Sequence, residues 1–292
     1  MLLSRWTRLL GFRAETLNPL ARCSIVVVIA WCALFLTNAS GRTAQGALAA
    51  LSLSEFFKPG VVFQDRNGDG VVDFVDARFV LPERPAPGEL AAAADVAARL
   101  GFETSAMNLP LMSSSGTPSA PNDAIPIFIG SRSLVAAGTT AAALAGPLRA
   151  GDGVVTALNA SGRFGVAVLG GDEDGLTAAA VMLAGHLPYV WDQKGPTTDK
   201  IAEDVRAYLG GKGVEVSSAA VPAVYVRHRN DGAERVVVDV QVANAADVIK
   251  AEVALNQLKI SGLVDQKRPL SYPRLRALRV RMRAAGSGLV TI

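Results

Sequence analysis

Hydrophobic and polar positions follow two different spacings along the chain, one typical of strands and one typical of helices. Short apolar runs rich in valine and isoleucine predict β-strands at residues 125–130, 153–158, 163–169, 221–227, 234–242, 276–283 and 288–292. Longer stretches with apolar residues at helical spacing predict helices at residues 90–100, 170–185 (after a glycine turn), 196–209 and 245–258. Because strands alternate with helices, the pattern indicates an α/β fold, with a layered sheet covered by Ala-rich helices.

Residues with strong turn and capping preferences mark the ends of these elements. The sequence Asn230-Asp231-Gly232 predicts a hairpin turn between the strands at 221–227 and 234–242. Asp172 is placed to cap the helix that follows it, and Thr197 or Thr198 is placed to cap the next one. Cap and turn residues therefore agree with the helices and strands that the hydrophobic pattern predicts.

The amino-acid composition narrows the protein class. Half of the residues are hydrophobic but only 6% are aromatic, which suits close-packed helices on a valine-rich sheet and excludes wholesale disorder. The first 49 residues hold five of the 29 basic and one of the 26 acidic residues, so the remainder carries 24 basic and 25 acidic residues. This balance lacks the overall positive field that nonspecific nucleic-acid binding requires.

The N-terminal segment has the arrangement of a secretory signal. Arginines precede a 13-residue apolar run at 24–36, and small residues follow it up to Ala47-Leu48-Ala49, an A-x-A cleavage sequence. The run is shorter than the roughly 20 residues that span a bilayer, so we expect residues 1–49 to be a signal peptide, with an uncleaved signal anchor as the alternative. Both cysteines lie in this segment, so the rest of the chain has no disulfide or thiolate nucleophile.

Three further regions follow the leader. Residues 50–112 hold a calcium loop and a helical segment, and residues 113–124 have the Ser-, Pro- and Gly-rich composition of a linker or long surface loop. Residues 125–292 form the predicted α/β domain. The chain ends on an apolar, strand-like run, so this last strand either closes a sheet or the domain is truncated at its C-terminal end.

Residues 65–76 carry the clearest chemical signal. Oxygen-bearing side chains fall at positions 1, 3, 5, 9 and 12 of a twelve-residue loop, and Gly70 stands at position 6, where the chain must turn sharply. Calcium takes about six to eight oxygen ligands, and this spacing wraps them around one point. The sequence therefore predicts a calcium site formed by Asp65, Asn67, Asp69, the backbone carbonyl of Val71, Asp73 and Asp76. The alternative is a solvated acidic turn.

This segment resembles the calcium-binding repeat of dockerins and, more broadly, an EF-hand loop in which Asp76 replaces the final Glu. The resemblance implies a loop-helix unit, with a short helix at 74–81. Dockerins pair two such repeats and this chain has one, so a structural calcium clamp is expected in preference to cohesin binding. Residues 163–185 are similar to a strand–turn–helix in noncatalytic α/β domains of secreted carbohydrate-active proteins.

Candidate catalytic residues are sparse. The two histidines, His186 and His228, lie outside any H-E-x-x-H motif, and the sequence has no G-x-S-x-G nucleophile elbow. The carboxylates at 172–174 are explained by helix capping, with glycosidase acids as the alternative. Tyr189 and Trp191 would share one side of an extended segment, either as core residues or as a sugar-binding platform. We therefore assign no catalytic residue and do not expect the chain alone to be an enzyme.

These features together predict an exported, calcium-binding, noncatalytic module of a bacterial-type protein, located outside the cell, at its surface or in the periplasm. The predicted partner is a protein or polysaccharide at the cell surface, with membrane contact only through an uncleaved leader. One alternative is the N-terminal region of a secreted hydrolase acting on glycans or peptides. Another is a surface scaffold protein that engages its partner through the dockerin-like segment.

Overall fold

The computed structural model describes residues 51–104, 112–114, 124–160, 162–260, 269–284 and 289–291, so the predicted leader lies outside the described residues. The strands are β1 (Phe63–Gln64), β2 (Phe74–Val75), β3 (Ala77–Leu81), β4 (Met112–Ser114), β5 (Ile125–Ile129), β6 (Asp152–Ala160), β7 (Arg163–Gly170), β8 (Val216–Arg227), β9 (Ala233–Val242), β10 (Leu278–Ala284) and β11 (Leu289–Thr291). The α-helices are α1 (Pro87–Phe102), α2 (Ala141–Ala145), α3 (Glu173–Val181), α4 (Thr198–Gly210) and α5 (Ala245–Ile260). Short 3₁₀ helices span Leu53–Phe57 and Ser131–Ala137, and a π-helical turn spans Met182–His186.

Nine of the described strands form one mixed sheet in the order β11-β10-β9-β8-β6-β7-β5-β3-β4. Strands β3, β4, β5 and β7 run parallel, whereas β6 is antiparallel to both of its neighbours, β7 and β8. The β8–β9 hairpin is antiparallel, and α5 connects β9 to the parallel strand β10. The predicted α/β class, with helices layered on a sheet, is confirmed.

The core lies mainly on one face of this sheet. Paired positions across the strands, such as Phe79, Ile127 and Val166, are at most 1% exposed on that face. Helices α1, α3, α4 and α5 cover these residues with their own apolar side chains. The opposite face is covered by the segment from 131 to 148, which packs on Phe128, Val154 and their neighbours. The apolar side chains of α1 and α3 thus belong to the larger core.

Local sequence preferences explain where the helices begin. The Asp172 carboxylate accepts a hydrogen bond from the Gly175 N–H at the start of α3, and the Thr197 hydroxyl accepts one from the Lys200 N–H at the start of α4. Both predicted caps are confirmed. A side chain at Gly170 would come within 2.2 Å of the Leu176 nitrogen, so the turn between β7 and α3 requires glycine. Among the helices that the structure describes, none is long and apolar enough to cross a membrane.

The expected short helix at 74–81 is wrong, because these residues form strands β2 and β3. The reason lies in a period of two: Val75, Ala77 and Phe79 are buried, and the polar residues Asp76 and Arg78 lie between them. Strand β3 pairs with β4 on one side and β5 on the other, so it lies inside the sheet. The calcium-loop segment thus leads into the sheet as an extended chain.

Candidate metal centre

The predicted calcium loop is the tip of a two-stranded ribbon. Phe63 pairs with Val75 and Gln64 with Phe74, so residues 65–73 join the two strands. Phe63 and Val75 are buried in the main core, whereas residues 65–71 are exposed. The Asp73 N–H donates to the Gln64 carbonyl at 3.1 Å and closes the base of the loop. The ribbon therefore holds an exposed loop on a buried foundation.

Asp65 organises the first half of the loop. Its two carboxylate oxygens accept the Gly68 N–H at 2.7 Å and the Gly70 N–H at 2.8 Å. Both glycines have a positive φ, 77° and 85°, which side chains with a Cβ rarely adopt. The hydrogen bonds from the Gly70 and Gly68 amides hold the pKa of Asp65 below its ordinary value, because they stabilise the charged form. Asp65 is thus an ionised carboxylate that fixes the turn.

The next two predicted ligands continue this pattern of side chains folded onto the loop backbone. The Asp69 N–H donates to Asn67 Oδ1 at 3.0 Å, and the Val71 N–H donates to Asp69 Oδ1 at 2.8 Å. The Asn67 amide also donates to Asp69 Oδ2 at 3.1 Å. At the far side, Asp73 Oδ1 accepts the Arg66 N–H at 3.0 Å. Asp65, Asn67, Asp69, Val71 and Asp73 all belong to this one hydrogen-bonded loop.

Asp76, the last predicted ligand, bonds to residues that precede the loop. Its N–H donates to the Val62 carbonyl at 2.7 Å, and its Oδ2 accepts from Gln64 Nε2 at 2.9 Å. The chain between Asp73 and Asp76 is extended, and three extended residues span about 10 Å. Asp76 thus bonds to Gln64 and to the Val62 carbonyl, whereas the hydrogen bonds of the other predicted ligands lie within the loop.

A polar network that the sequence analysis missed occupies the Asp76 face of the ribbon. The Arg66 guanidinium lies 2.9 Å from the centroid of the Phe74 ring, and Arg66 Nε donates to Gln64 Oε1 at 3.2 Å. Gln64 in turn donates to Asp76. Only the pairing of Gln64 with Phe74 reveals this network, because the residues are up to 12 positions apart.

The loop supplies the ligand chemistry that calcium prefers, namely carboxylate, amide and backbone carbonyl oxygens. Each carboxylate oxygen has two lone pairs, so an oxygen that accepts one backbone N–H can still bind a cation. Asp65, Asn67, Asp69, Asp73 and the Val71 carbonyl are the groups that would hold the ion. Across the described residues, no three His, Cys, Asp or Glu side chains are arranged as a metal-binding group.

The acidic turn at 172–174 lies near the histidine His228. Asp172 accepts the Gly175 and Gly151 N–H groups, both at 2.9 Å, and these bonds lower the pKa of its carboxyl. Folding also brings His228 Nε2 to 3.9 Å from Asp174 Oδ2, a relationship that spacing alone does not reveal. However, Arg229 Nε donates to the same His228 nitrogen at 3.1 Å. That nitrogen is already occupied, so the contact does not form a ready acid–base pair.

His186, the other candidate histidine, lies beside Trp191 of the candidate aromatic pair. The rings of His186 and Trp191 stack with centroids 4.5 Å apart and an interplanar angle of 9°. Trp191 is partly buried against the main core and has a φ of 92°, which is uncommon for a residue other than glycine. Tyr189 lies at the rim of a neighbouring cleft. Both residues are partly buried; Trp191 packs against the core, and Tyr189 contributes to the cleft.

No known family or characterised relative indicates a function for this chain. No protein-family description matches the chain, and no characterised protein shows significant sequence similarity to it.

Proposed function

We propose that this chain is a calcium-binding, noncatalytic α/β module of an exported protein. The observation that carries the proposal is the loop at 65–73, in which four oxygen-bearing side chains and two positive-φ glycines are held by a ribbon with a buried base. The two hydrogen bonds that the Gly68 and Gly70 amides donate to Asp65 give the loop a defined turn.

Electrostatics supports a cation at this position. Asp65, Asp69 and Asp73 concentrate negative charge within a nine-residue loop whose first seven residues are exposed, and Asn67 adds a neutral oxygen ligand. A divalent cation would offset the mutual repulsion of these carboxylates. Calcium suits the loop better than magnesium, because it accepts more ligands and tolerates irregular geometry.

The noncatalytic part of the proposal rests on the two best-placed titratable clusters. Asp172 is engaged by backbone amides, and His228 Nε2 accepts a hydrogen bond from Arg229. The His228 and Asp174 side chains are 30% and 64% exposed, so water would compete with a substrate. Export is inferred from the order of arginines, apolar run and small residues in the leader.

Isothermal titration calorimetry on the purified chain tests the calcium role. We expect one calcium per chain with a dissociation constant on the order of 10⁻⁴ to 10⁻⁶ M, and much weaker magnesium binding. The double variant Asp65→Ala/Asp69→Ala should lose the calcium heat. Asp231→Ala, which removes an exposed carboxylate from a different turn, is the matched control and should bind as the wild type does. A wild type without calcium heat, or a double variant that retains it, refutes the assignment.

A further inference from the structure

A cleft lies between the C-terminal end of α1 and the π-helical turn that follows α3. Its volume is about 370 Å³. This falls within the roughly 300–1,000 Å³ typical of small-ligand sites. The side chains that line it come from the helix end, the π turn and the loop after it: Arg99, Phe102, Glu103, His186, Tyr189 and Gln193. The cleft thus combines aromatic rings with hydrogen-bonding groups.

His186, which lines this cleft, can act as a hydrogen-bond acceptor. Its Nδ1 lies 2.6 Å from the Trp191 carbonyl oxygen, and a carbonyl can only accept, so Nδ1 carries the proton. In the neutral imidazole, Nε2 then holds the free lone pair. Stacking on Trp191 fixes the ring, and the strained backbone of Trp191 is the kind of outlier that clusters at ligand sites.

The charged pair in the cleft does not favour an anion. Arg99 donates through Nε to Glu103 Oε1 at 2.7 Å and through Nη1 to the Ala184 carbonyl at 2.9 Å. The charge of its guanidinium is therefore paired with a carboxylate inside the cleft. Within the described part of the chain, Glu103 Oε2, the Tyr189 hydroxyl and the Gln193 amide have no hydrogen-bond partner. The groups left for a ligand are two acceptors, His186 Nε2 and Glu103 Oε2, and two groups that both donate and accept, the Tyr189 hydroxyl and the Gln193 amide.

Phe102 adds an apolar face at the rim. Its side chain is 87% exposed, the highest value among the large hydrophobic residues exposed in the described structure. An isolated exposed ring beside unpaired polar groups suits a ligand with one apolar face and one hydroxyl-bearing edge. A peptide that binds by adding a strand would instead need a free strand edge to pair with, and this cleft is formed by a helix end and turns.

We infer that this cleft is a binding site for a neutral saccharide. The C–H face of a sugar ring would lie on Phe102, and its hydroxyls would donate to His186 Nε2 and Glu103 Oε2. The Tyr189 hydroxyl and the Gln193 amide would contact the remaining ring oxygens. The inference deepens the noncatalytic binding role proposed above by naming a ligand class, and it does not depend on calcium in the loop.

Native affinity electrophoresis of the full chain tests this site. The gels contain arabinoxylan, mixed-linkage β-glucan or galactomannan as neutral probes, and polygalacturonate as the anionic probe. We expect retardation by at least one neutral polysaccharide, weakened about tenfold or more by Phe102→Ala and by Gln193→Ala. Val135→Ala is the matched control, because Val135 is also exposed, at 76%, but lies outside the cleft.

Several results would overturn the inference. These are no retardation by any neutral probe, retardation by polygalacturonate alone, equal effects of Phe102→Ala and Val135→Ala, or calorimetric binding of casein peptides in place of saccharide. Both cleft variants carry exposed substitutions, so they should fold, and their calcium heat should equal that of the wild type. A variant that keeps its calcium heat but loses retardation separates failure at the cleft from failure at the loop.

Discussion

Thr104, two residues beyond α1, donates a hydrogen bond through Oγ1 to the backbone carbonyl of Val72 at 3.3 Å. Val72 occupies position 8 of the predicted calcium loop, and its side chain packs against the main core. The hydroxyl thus joins the end of a helix to the second half of the loop. If the loop binds calcium as proposed, this contact should make its calcium affinity depend on a residue that supplies no ligand.

Thr104→Val removes this hydrogen bond while keeping the side-chain shape. A protein hydrogen bond contributes about 0.5–1.5 kcal/mol, so the calcium affinity should fall roughly two- to tenfold. Calorimetry measures the change. Thr177→Val is the control, because Thr177 donates to the Glu173 carbonyl at 3.0 Å in a helix away from the loop. Equal affinities for Thr104→Val and the wild type would show that the contact does not order the loop.

Calcium should raise the melting temperature of the chain, because the ion binds the folded loop and not the unfolded chain. At a free concentration 100 times the dissociation constant, the gain in unfolding free energy is about 2.7 kcal/mol. Differential scanning calorimetry with calcium and with chelator measures it. Since the ribbon base is buried in the main core, the main transition should move. A transition unaffected by chelator would confine calcium to local order in the loop.

Gly70→Ala should weaken calcium binding through the backbone alone. A side chain at Gly70 would meet no atom within 4 Å, but the residue has a φ of 85°. The left-handed conformation costs about 1–2 kcal/mol for other residues, which corresponds to roughly a 5- to 30-fold loss of affinity. Gly210→Ala serves as the control, because its surroundings are also open and its φ is not positive. Similar calcium affinities in both variants would contradict the requirement for glycine.

Acid should loosen the loop only below the ordinary pKa of an aspartate. The Gly70 and Gly68 amides lower the pKa of Asp65 in the folded chain. The stability that Asp65 contributes is therefore fully present above its unfolded pKa of about 3.9 and is lost as the pH falls through the lower folded value. Amide chemical shifts of Gly68 and Gly70 followed against pH report this titration. A midpoint above 3.9, or a titration that persists in Asp65→Asn, would contradict the assignment.

The export proposal predicts the N-terminus of the mature protein. Cleavage by the small-residue rule should leave an N-terminal residue between about Ala44 and Leu51. Intact-mass spectrometry of the protein from its native host measures this directly. Arginine at both Ala47 and Ala49 should abolish the cut after residue 49. Met1 in a soluble mature protein would contradict cleavage, and Met1 confined to the membrane fraction would favour the anchor.

Most of the sheet follows from the hydrophobic pattern, because the strands are short apolar runs bounded by turn residues. The helix predicted at 74–81 from the resemblance to a dockerin repeat is wrong. Val75, Ala77 and Phe79 alternate with polar residues, and this period of two is typical of a strand. Tertiary pairing of β3 with two neighbours then stabilises the extended conformation.

The loop could be located from sequence, but its geometry could not. The positions of Asp65, Asn67, Asp69 and Asp73 follow from spacing, whereas the hydrogen bond between Gln64 and Asp76 depends on how the ribbon pairs. The His228–Asp174 contact and the cleft beside His186 join residues distant along the chain. Such relationships are set by topology, which local periodicity does not encode.

The stack between His186 and Trp191 places a fluorescent side chain next to a residue that lines the cleft. The chain has three tryptophans, and two of them, Trp6 and Trp31, belong to the predicted leader. Once the leader is removed, all tryptophan emission comes from one indole ring, 4.5 Å from a histidine at the edge of the cleft. A chain cleaved as proposed would therefore carry its single tryptophan stacked on His186, a residue that lines the cleft, so saccharide binding can be followed by fluorescence.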